Sequence, residues 1–356
     1  MRIALLTTAR AWRGSGTSFT HIAQSLAARG HVLQVLSAAP AVTAELAARG
    51  LRARELPIRH SGFTEARALA RALDEFAAEV VIADKPRDLR LGALASLGRS
   101  FALVYRHNVG AAAPPRDLTV RLAYRRVRMT IFLTHAGERE ALARAPFMSR
   151  PPRRVIYEGV NLERFRPDPA AGRAFRERQR LGDGPSVLAV GALEREKRYD
   201  WLLGALARLP EPRPRLVVCG DGGLADALRA QAERERLDVR LLGQVTPREL
   251  AGAYNAATCV VHGCDVETFG IAVAEAMACA RPVVAVAGGA VPEVLGGTGV
   301  LAPADDPAAF ARALGELLAD PQRRDALGAA ARGRALARFS LERMGQEYGE
   351  ALEAIA

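Results

Sequence analysis

Lysine is almost missing from this chain. Of 50 basic residues only Lys85 and Lys197 are lysines, which marks both as candidates for places that need a compact ammonium rather than the planar fork of arginine. Aromatic residues make up only 5% of the chain, and no basic stretch is interleaved with stacking side chains, which argues against nucleic acid as a partner. No apolar run approaches the roughly 20 residues that span a bilayer. The N-terminus, residues 1–8, reads as a strand that begins at once rather than as a signal peptide, so a cytoplasmic protein is expected. Cysteines are few. Cys219, Cys259, Cys264 and Cys279 follow no metal-ligand spacing and read as buried thiols rather than disulfides. There is no Asp-x-Asp pair to hold a divalent ion on a pyrophosphate, and no His/Cys/Asp/Glu cluster with metal spacing, so no metal cofactor is expected.

What is present points to an α/β protein. With 356 residues, 49% of them hydrophobic, two filled cores are possible. Short apolar runs alternate with Ala/Leu/Arg helical stretches. Strands are expected at residues 2–7, 32–37, 80–83, 102–106, 130–134 and 154–157, then at 187–190, 215–219, 239–242, 259–262, 282–286 and 299–301. Such runs between helices of about ten to fifteen residues indicate parallel, doubly wound sheets. The expected division is an N-terminal Rossmann-like domain over 1–165, a second over 166–337 and a last helical segment over 338–356, with the boundary in the proline-bearing region 159–180. Ligands of these sheets bind beyond the carboxyl ends of the strands, and most of the unusual residues follow strands. The net charge of +11 favours anionic partners.

Glu267 and Glu275 carry the strongest signal. They stand eight residues apart, and a Phe269-Gly270 turn between them opens a helix. A helix N-terminus offers unbonded amides and a partial positive charge to a phosphate. A nucleotide sugar seated there would present its sugar to Glu267 and its ribose to Glu275. Lys197, on the charged stretch that begins at Gly191 after the first strand of the second half, can neutralise a leaving diphosphate as a point charge, with Arg195 or Arg198 assisting. Arg13-Gly14-Ser15-Gly16, after the first strand, reads equally as a plain flexible loop or as a phosphate-approaching one; it lacks the third glycine of a dinucleotide fingerprint. Gly220-Asp221-Gly222-Gly223 and Gly288-Gly289 are open in the same way. His107, alone at a strand end, reads more simply as structural. Lys85 and Arg87 follow a strand of the first half, on the acceptor side, and are assigned to an anionic part of the acceptor. Basic stretches at 52–71 and 116–128 are either solvated faces or surfaces for an anionic membrane.

Together these residues resemble family 4 of the retaining glycosyltransferases, GT4, which have the GT-B fold: two Rossmann-like domains facing across a cleft. The resemblance runs over essentially the whole chain and is most specific from Glu267 to Glu293, where the glutamate pair is followed by Ala276-Met277-Ala278, Pro282-Val283-Val284 and Gly288-Gly289. It implies a hexose-type transferase that needs a nucleoside-diphosphate sugar, UDP- or GDP-linked, and no metal, acting on an envelope glycolipid or polysaccharide precursor such as a lipopolysaccharide core. Glu267 would contact the donor sugar, and Phe269, Gly270 and Ile271 would offer backbone contacts. Glu275 would hold the ribose, Lys197 the diphosphate, and Gly16 would close on the phosphates. His107 would sit near the reacting face of the sugar, and the last helix would cross back onto the first domain. Three departures stand out: Ala192 where the family often has arginine, which leaves Arg195 to replace that cation, His262-Gly263 where Pro-Ser is usual, and Ala280 where glycine is usual. A GT-B sugar-nucleotide epimerase, a phosphorylase and a catalytically silent sugar-nucleotide-binding subunit are the competing readings.

Overall fold

Two parallel sheets organise the molecule, a computed structural model that describes residues 1–12, 14–108 and 118–355. Arg13 of the glycine-rich motif and residues 116–117 of the second basic stretch lie outside them. The first sheet contains β1 (Arg2–Thr7), β2 (Val32–Ser37), β3 (Ala53–Glu55), β4 (Val80–Ala83), β5 (Ala102–His107), β6 (Val127–Phe132) and β7 (Arg153–Val155), in the order β3-β2-β1-β4-β5-β6-β7. The second contains β8 (Ser186–Val190), β9 (Arg215–Cys219), β10 (Val239–Leu241), β11 (Cys259–His262), β12 (Val283–Val286) and β13 (Val300–Ala302), in the order β10-β9-β8-β11-β12-β13. Every pairing between these strands is parallel. Central strands such as β4 (Val-Val-Ile-Ala) and β12 (Val-Val-Ala-Val) are buried throughout, as strands covered by helices on both faces must be.

The chain divides into one unit of Met1–Gly159 with Leu341–Ala356 and another of Val160–Ser340. The first crossing therefore falls six residues before the expected position at 165/166 and the second at 340/341. The backbone shows why the seams lie there. Val160 and Ser340 pair as a parallel bridge within the second unit, with Val160 N donating to Phe339 O at 2.7 Å. One residue earlier, Gly159 has no room for a side chain, since a Cβ would lie 2.9 Å from the backbone of Leu341.

Two strands differ from the sequence expectation. β3 was not anticipated, because its three residues, Ala-Arg-Glu, form a short edge with no apolar run. β6 spans Val127–Phe132 rather than 130–134, since Arg128 points to solvent between buried Val127 and Met129 and interrupts the apolar pattern.

In the first unit, Arg106 of β5 is wholly buried and pairs with the carboxylates of Asp84 and Glu158. It also donates to Ser18 Oγ at 2.6 Å and to Tyr348 Oη at 3.2 Å. Tyr348 belongs to the C-terminal helix Leu341–Glu353, so this network pins that helix to the sheet. Removing one partner of such a buried charge cluster costs on the order of 3–5 kcal/mol.

Candidate active site

The strand order of the second sheet reverses between β8 and β11, and a crevice for ligands forms at such a switch point. The segments leaving these two strands carry Lys197 and Glu267. After β8 the chain runs through Gly191 to a one-turn helix, Arg195–Lys197, which Arg198 ends in the left-handed region at φ 53. Arg198 then donates to Asp265 Oδ2 at 2.7 Å and to Ala304 O at 2.8 Å, tying the two segments together. Lys197 Nζ reaches Glu267 Oε2 at 2.7 Å. His262, the last residue of β11, brings Nε2 to 3.4 Å from the same oxygen without forming a well-aligned hydrogen bond.

The electrostatics fit this contact. Burial would raise the Glu267 carboxyl, but the His262 imidazole and the Lys197 ammonium outweigh it and hold the group far below the usual carboxylate range. Burial likewise works against the Lys197 ammonium, and the Glu267 charge overcomes it, so its pKa is raised. Both groups are therefore ionised near neutral pH.

Gly270 sits at φ 90, a conformation suited to glycine, and caps the helix Ile271–Ala278. The first amides of that helix have no carbonyl in a preceding turn. One turn in, Glu275 is buried and accepts a hydrogen bond from Tyr254 Oη at 2.8 Å. Burial pushes its carboxyl up to about 7. Phe269 is buried and packs edge-on against Phe339 with ring centroids 5.4 Å apart.

Glycines bring the segments close. A Cβ on Gly220, at φ +152, would lie 1.9 Å from Gly191 O, and one on Gly289 would lie 2.4 Å from Glu267 O. Gly288-Gly289 thus braces the Glu267 segment, with Ala290 N donating to Glu267 O at 2.9 Å.

Several sequence assignments need correction. Gly14 and Gly16 are not in a loop but in the first turn of the helix Gly14–Ala27, and Gly16 packs against the Trp12 ring, 2.9 Å from where its Cβ would be. Arg198 is engaged with Asp265 and Ala304 rather than left for a diphosphate, whereas Arg195 is exposed on its turn. The sequence showed no metal-like cluster, yet the fold brings ligand atoms of His262, Cys264 and Glu267 within 4.8 Å of one another. The donor set does not fit a resident cation. The Lys197 ammonium already occupies Glu267, and burial pushes the Cys264 thiol up to about 11. The other cysteines are buried and unpaired too.

In the first unit, β1 and β4 flank the corresponding switch. Thr8 N donates to Asp88 Oδ1 at 3.0 Å across it, and Lys85 N to Asp88 Oδ2 at 3.1 Å. Lys85 caps the helix Pro86–Ala95, and among the described residues the buried Nη2 of Arg87 has no partner. His107 lies in an apolar recess with Tyr105, Tyr124, Phe147 and Met148. Among the described residues its Nδ1 has no partner, and burial pushes the imidazole down to about 4, so it is neutral. The second basic stretch contains the helix Leu118–Ala123, which exposes Leu118 and Leu122. Among the described residues no helix is long and apolar enough to cross a membrane.

Sequence reasoning missed Tyr254 and the proximity of His262 to Glu267. The first gave no signal, since 21 residues separate it from Glu275. The second was visible only as an unusual residue in its place.

Residues 173–334 match the family described as Glycosyl transferases group 1, and residues 12–164 match Glycosyltransferase Family 4. A GDP-mannose-dependent alpha-(1-6)-phosphatidylinositol monomannoside mannosyltransferase of Mycolicibacterium smegmatis is 33% identical over 276 residues, covering 71% of this chain and 70% of that protein. A D-inositol 3-phosphate glycosyltransferase of Catenulispora acidiphila is 32% identical over 322 residues, covering 79% and 76%. Among solved structures, Anabaena HepE in complex with UDP and glucose superposes with a TM-score of 0.89 over 99% of this chain and 100% of that one, at 21% identity. These matches cover both halves of the sequence, and the chain belongs to the GT4 family of glycosyltransferases, with the GT-B fold.

Proposed function

We propose that this protein is a retaining, metal-independent glycosyltransferase that moves a hexose-type sugar from a nucleoside-diphosphate donor to an anionic, phosphate-bearing acceptor, such as an envelope glycolipid or polysaccharide precursor. The observation that carries the reading is the Lys197–Glu267 pair, 2.7 Å apart at the switch point of the second sheet and followed by the helix that holds Glu275. Lys197 stabilises the charge that develops on the leaving diphosphate, aided by exposed Arg195. The amides at Gly270 and Ile271 support the phosphates, as do the backbones at Gly191 and Gly220. Glu267 accepts from hydroxyls of the sugar and Glu275 from those of the ribose. Gly14 and Gly16 stay assigned to the phosphates. His107, being neutral, acts near the sugar as a hydrogen-bonding group rather than a cation.

The reaction breaks the bond between the anomeric carbon and the diphosphate oxygen and forms one to the acceptor oxygen on the same face. The acceptor proton goes to the departing phosphate. Such a step needs positioning and charge stabilisation rather than a covalent enzyme intermediate. The metal-independent reading is supported by the Lys197 ammonium, which in this proposal takes the charge-stabilising role that a divalent ion would otherwise play. The relatives named for GDP-mannose and the HepE complex with UDP support a nucleoside-diphosphate donor. Their acceptors, phosphatidylinositol monomannoside and D-inositol 3-phosphate, both carry phosphate, in keeping with the cations Lys85 and Arg87 at the start of the helix Pro86–Ala95. If the acceptor is a lipid, the exposed face of the helix Leu118–Ala123 is the surface assigned to an anionic membrane.

A thermal-shift screen of UDP-, GDP- and ADP-sugars identifies the donor, since ligands of the native state raise its melting temperature. NMR of the product made from that donor then tests the stereochemistry. Retained anomeric configuration with activity unaffected by a chelator is the expected result; an inverted product or abolition by the chelator overturns the respective claim.

A further inference from the structure

We infer that His262 is a positioning residue for Glu267, holding one carboxylate oxygen so that the other stays available to the donor sugar while Lys197 engages the diphosphate. The inference rests on the donor-site reading above and adds a residue to it. Lys197 and His262 both approach Oε2, at 2.7 and 3.4 Å, and among the described residues Oε1 has no hydrogen-bond partner. Lys197 is thus one cation offered to two anions. When its three N–H groups are shared with a diphosphate, its hold on Glu267 weakens.

His262 is placed to take over. It is 6% exposed and ends β11, paired in register with Ala285 of the buried β12, so its backbone is fixed. Its Nε2 is buried and unsatisfied, a costly state that closing the 3.4 Å gap by a few tenths of an ångström would relieve. The other titratable groups around the pair include Cys264, Glu196, whose charge acts on Lys197, Tyr199, which donates to Gly191 O, and the Arg198–Asp265 ion pair. Among the described residues, none apart from the imidazole supplies a second cation or donor to Glu267.

The test compares release of nucleoside diphosphate from the donor by wild type, His262→Leu, His262→Asn and His262→Gln. Glutamine places an amide N–H near the position of Nε2, asparagine falls short of it, and leucine removes it. The leucine and asparagine variants are expected to lose about tenfold in kcat, the scale of one hydrogen bond to a charged group. The glutamine variant should stay within about threefold of wild type. Affinity for the bare nucleoside diphosphate should be unchanged in all. The acid limb of the kcat profile should move to higher pH in the leucine variant, because Glu267 has lost one of the groups that hold its carboxyl down. A structural role alone would not move it. If the leucine variant does not fold, the asparagine and glutamine pair makes the same comparison. Wild-type kcat in the leucine or asparagine variant, or equal impairment in the glutamine variant, would overturn the inference alone. A wild type that releases nucleoside diphosphate from none of the UDP-, GDP- and ADP-sugars would remove the donor-site reading and this inference with it.

Discussion

Lys197 Nζ and Glu267 Oε2 lie 2.7 Å apart, though 70 residues separate them in the chain. They meet because β8 and β11 are neighbours, paired in parallel through Cys259 with Val187 and Val260 with Leu188, and each side chain follows the carboxyl end of its strand. The contact serves two purposes. It compensates each buried charge, and on the proposed donor-site reading it keeps both groups within reach of one ligand.

Replacing Lys197 with alanine should lower turnover by about 10²–10³, the scale for removing one electrostatic contact to a transition state. Steady-state kinetics with the identified donor measure this. Near-normal turnover would show that the ammonium has no part in the departure of the diphosphate.

Glu275 predicts opposing pH trends. Burial raises its carboxyl from 4.5 to about 7 in the folded protein. A group raised in this way stabilises the fold fully below its unfolded pKa, and that contribution is lost as pH rises through about 7. Glu275→Gln should therefore be more stable than wild type at pH 8, by at most about 3 kcal/mol, with the gain shrinking toward pH 5. Asp88, pushed up to about 7 by burial, acts in the same window, so the difference between the two proteins is the informative quantity. Donor affinity of the wild type should instead rise with pH, because ribose hydroxyls donate to the carboxylate. Melting curves and calorimetric titrations from pH 5 to 8 measure both, and parallel trends would contradict the ribose assignment.

Gly220→Ala should destabilise the second unit by at least about 2 kcal/mol, from a left-handed backbone and a steric clash combined. The new Cβ would sit 1.9 Å from Gly191 O, on the segment that leads to Lys197. Urea unfolding measures the loss, and an unchanged midpoint would show that the two turns are not in contact.

Lys85→Ala should raise the KM for the acceptor by about tenfold or more, the scale of one charge-assisted contact, and leave the KM for the donor unchanged. A constant acceptor KM would move the anion elsewhere.

Much of this site could be read from local pattern. Periodicity located twelve of the strands, and alternation with helices required parallel sheets. Gly270 marked the start of a helix because a turn at φ 90 suits glycine. Lysine scarcity picked out Lys197 before any contact was known. Short or charged segments such as β3 were illegible, because an edge strand of three residues has no face to bury and so leaves no apolar signature.

The sequence by itself determined the two parallel sheets and the family, because hydrophobic period and turn chemistry are local properties of a chain. It also marked Glu267, Glu275 and Lys197 as unusual. Only the tertiary structure decided which of them touch. Strand order set Lys197 against Glu267, put the buried Tyr254 hydroxyl on Glu275, and left Arg198 bound to Asp265 while Arg195 stayed exposed. It also gathered His262, Cys264 and Glu267 into one cluster. Those outcomes depend on contacts between residues far apart in the chain, and burial, which shifts each pKa, exists only once the sheets have formed.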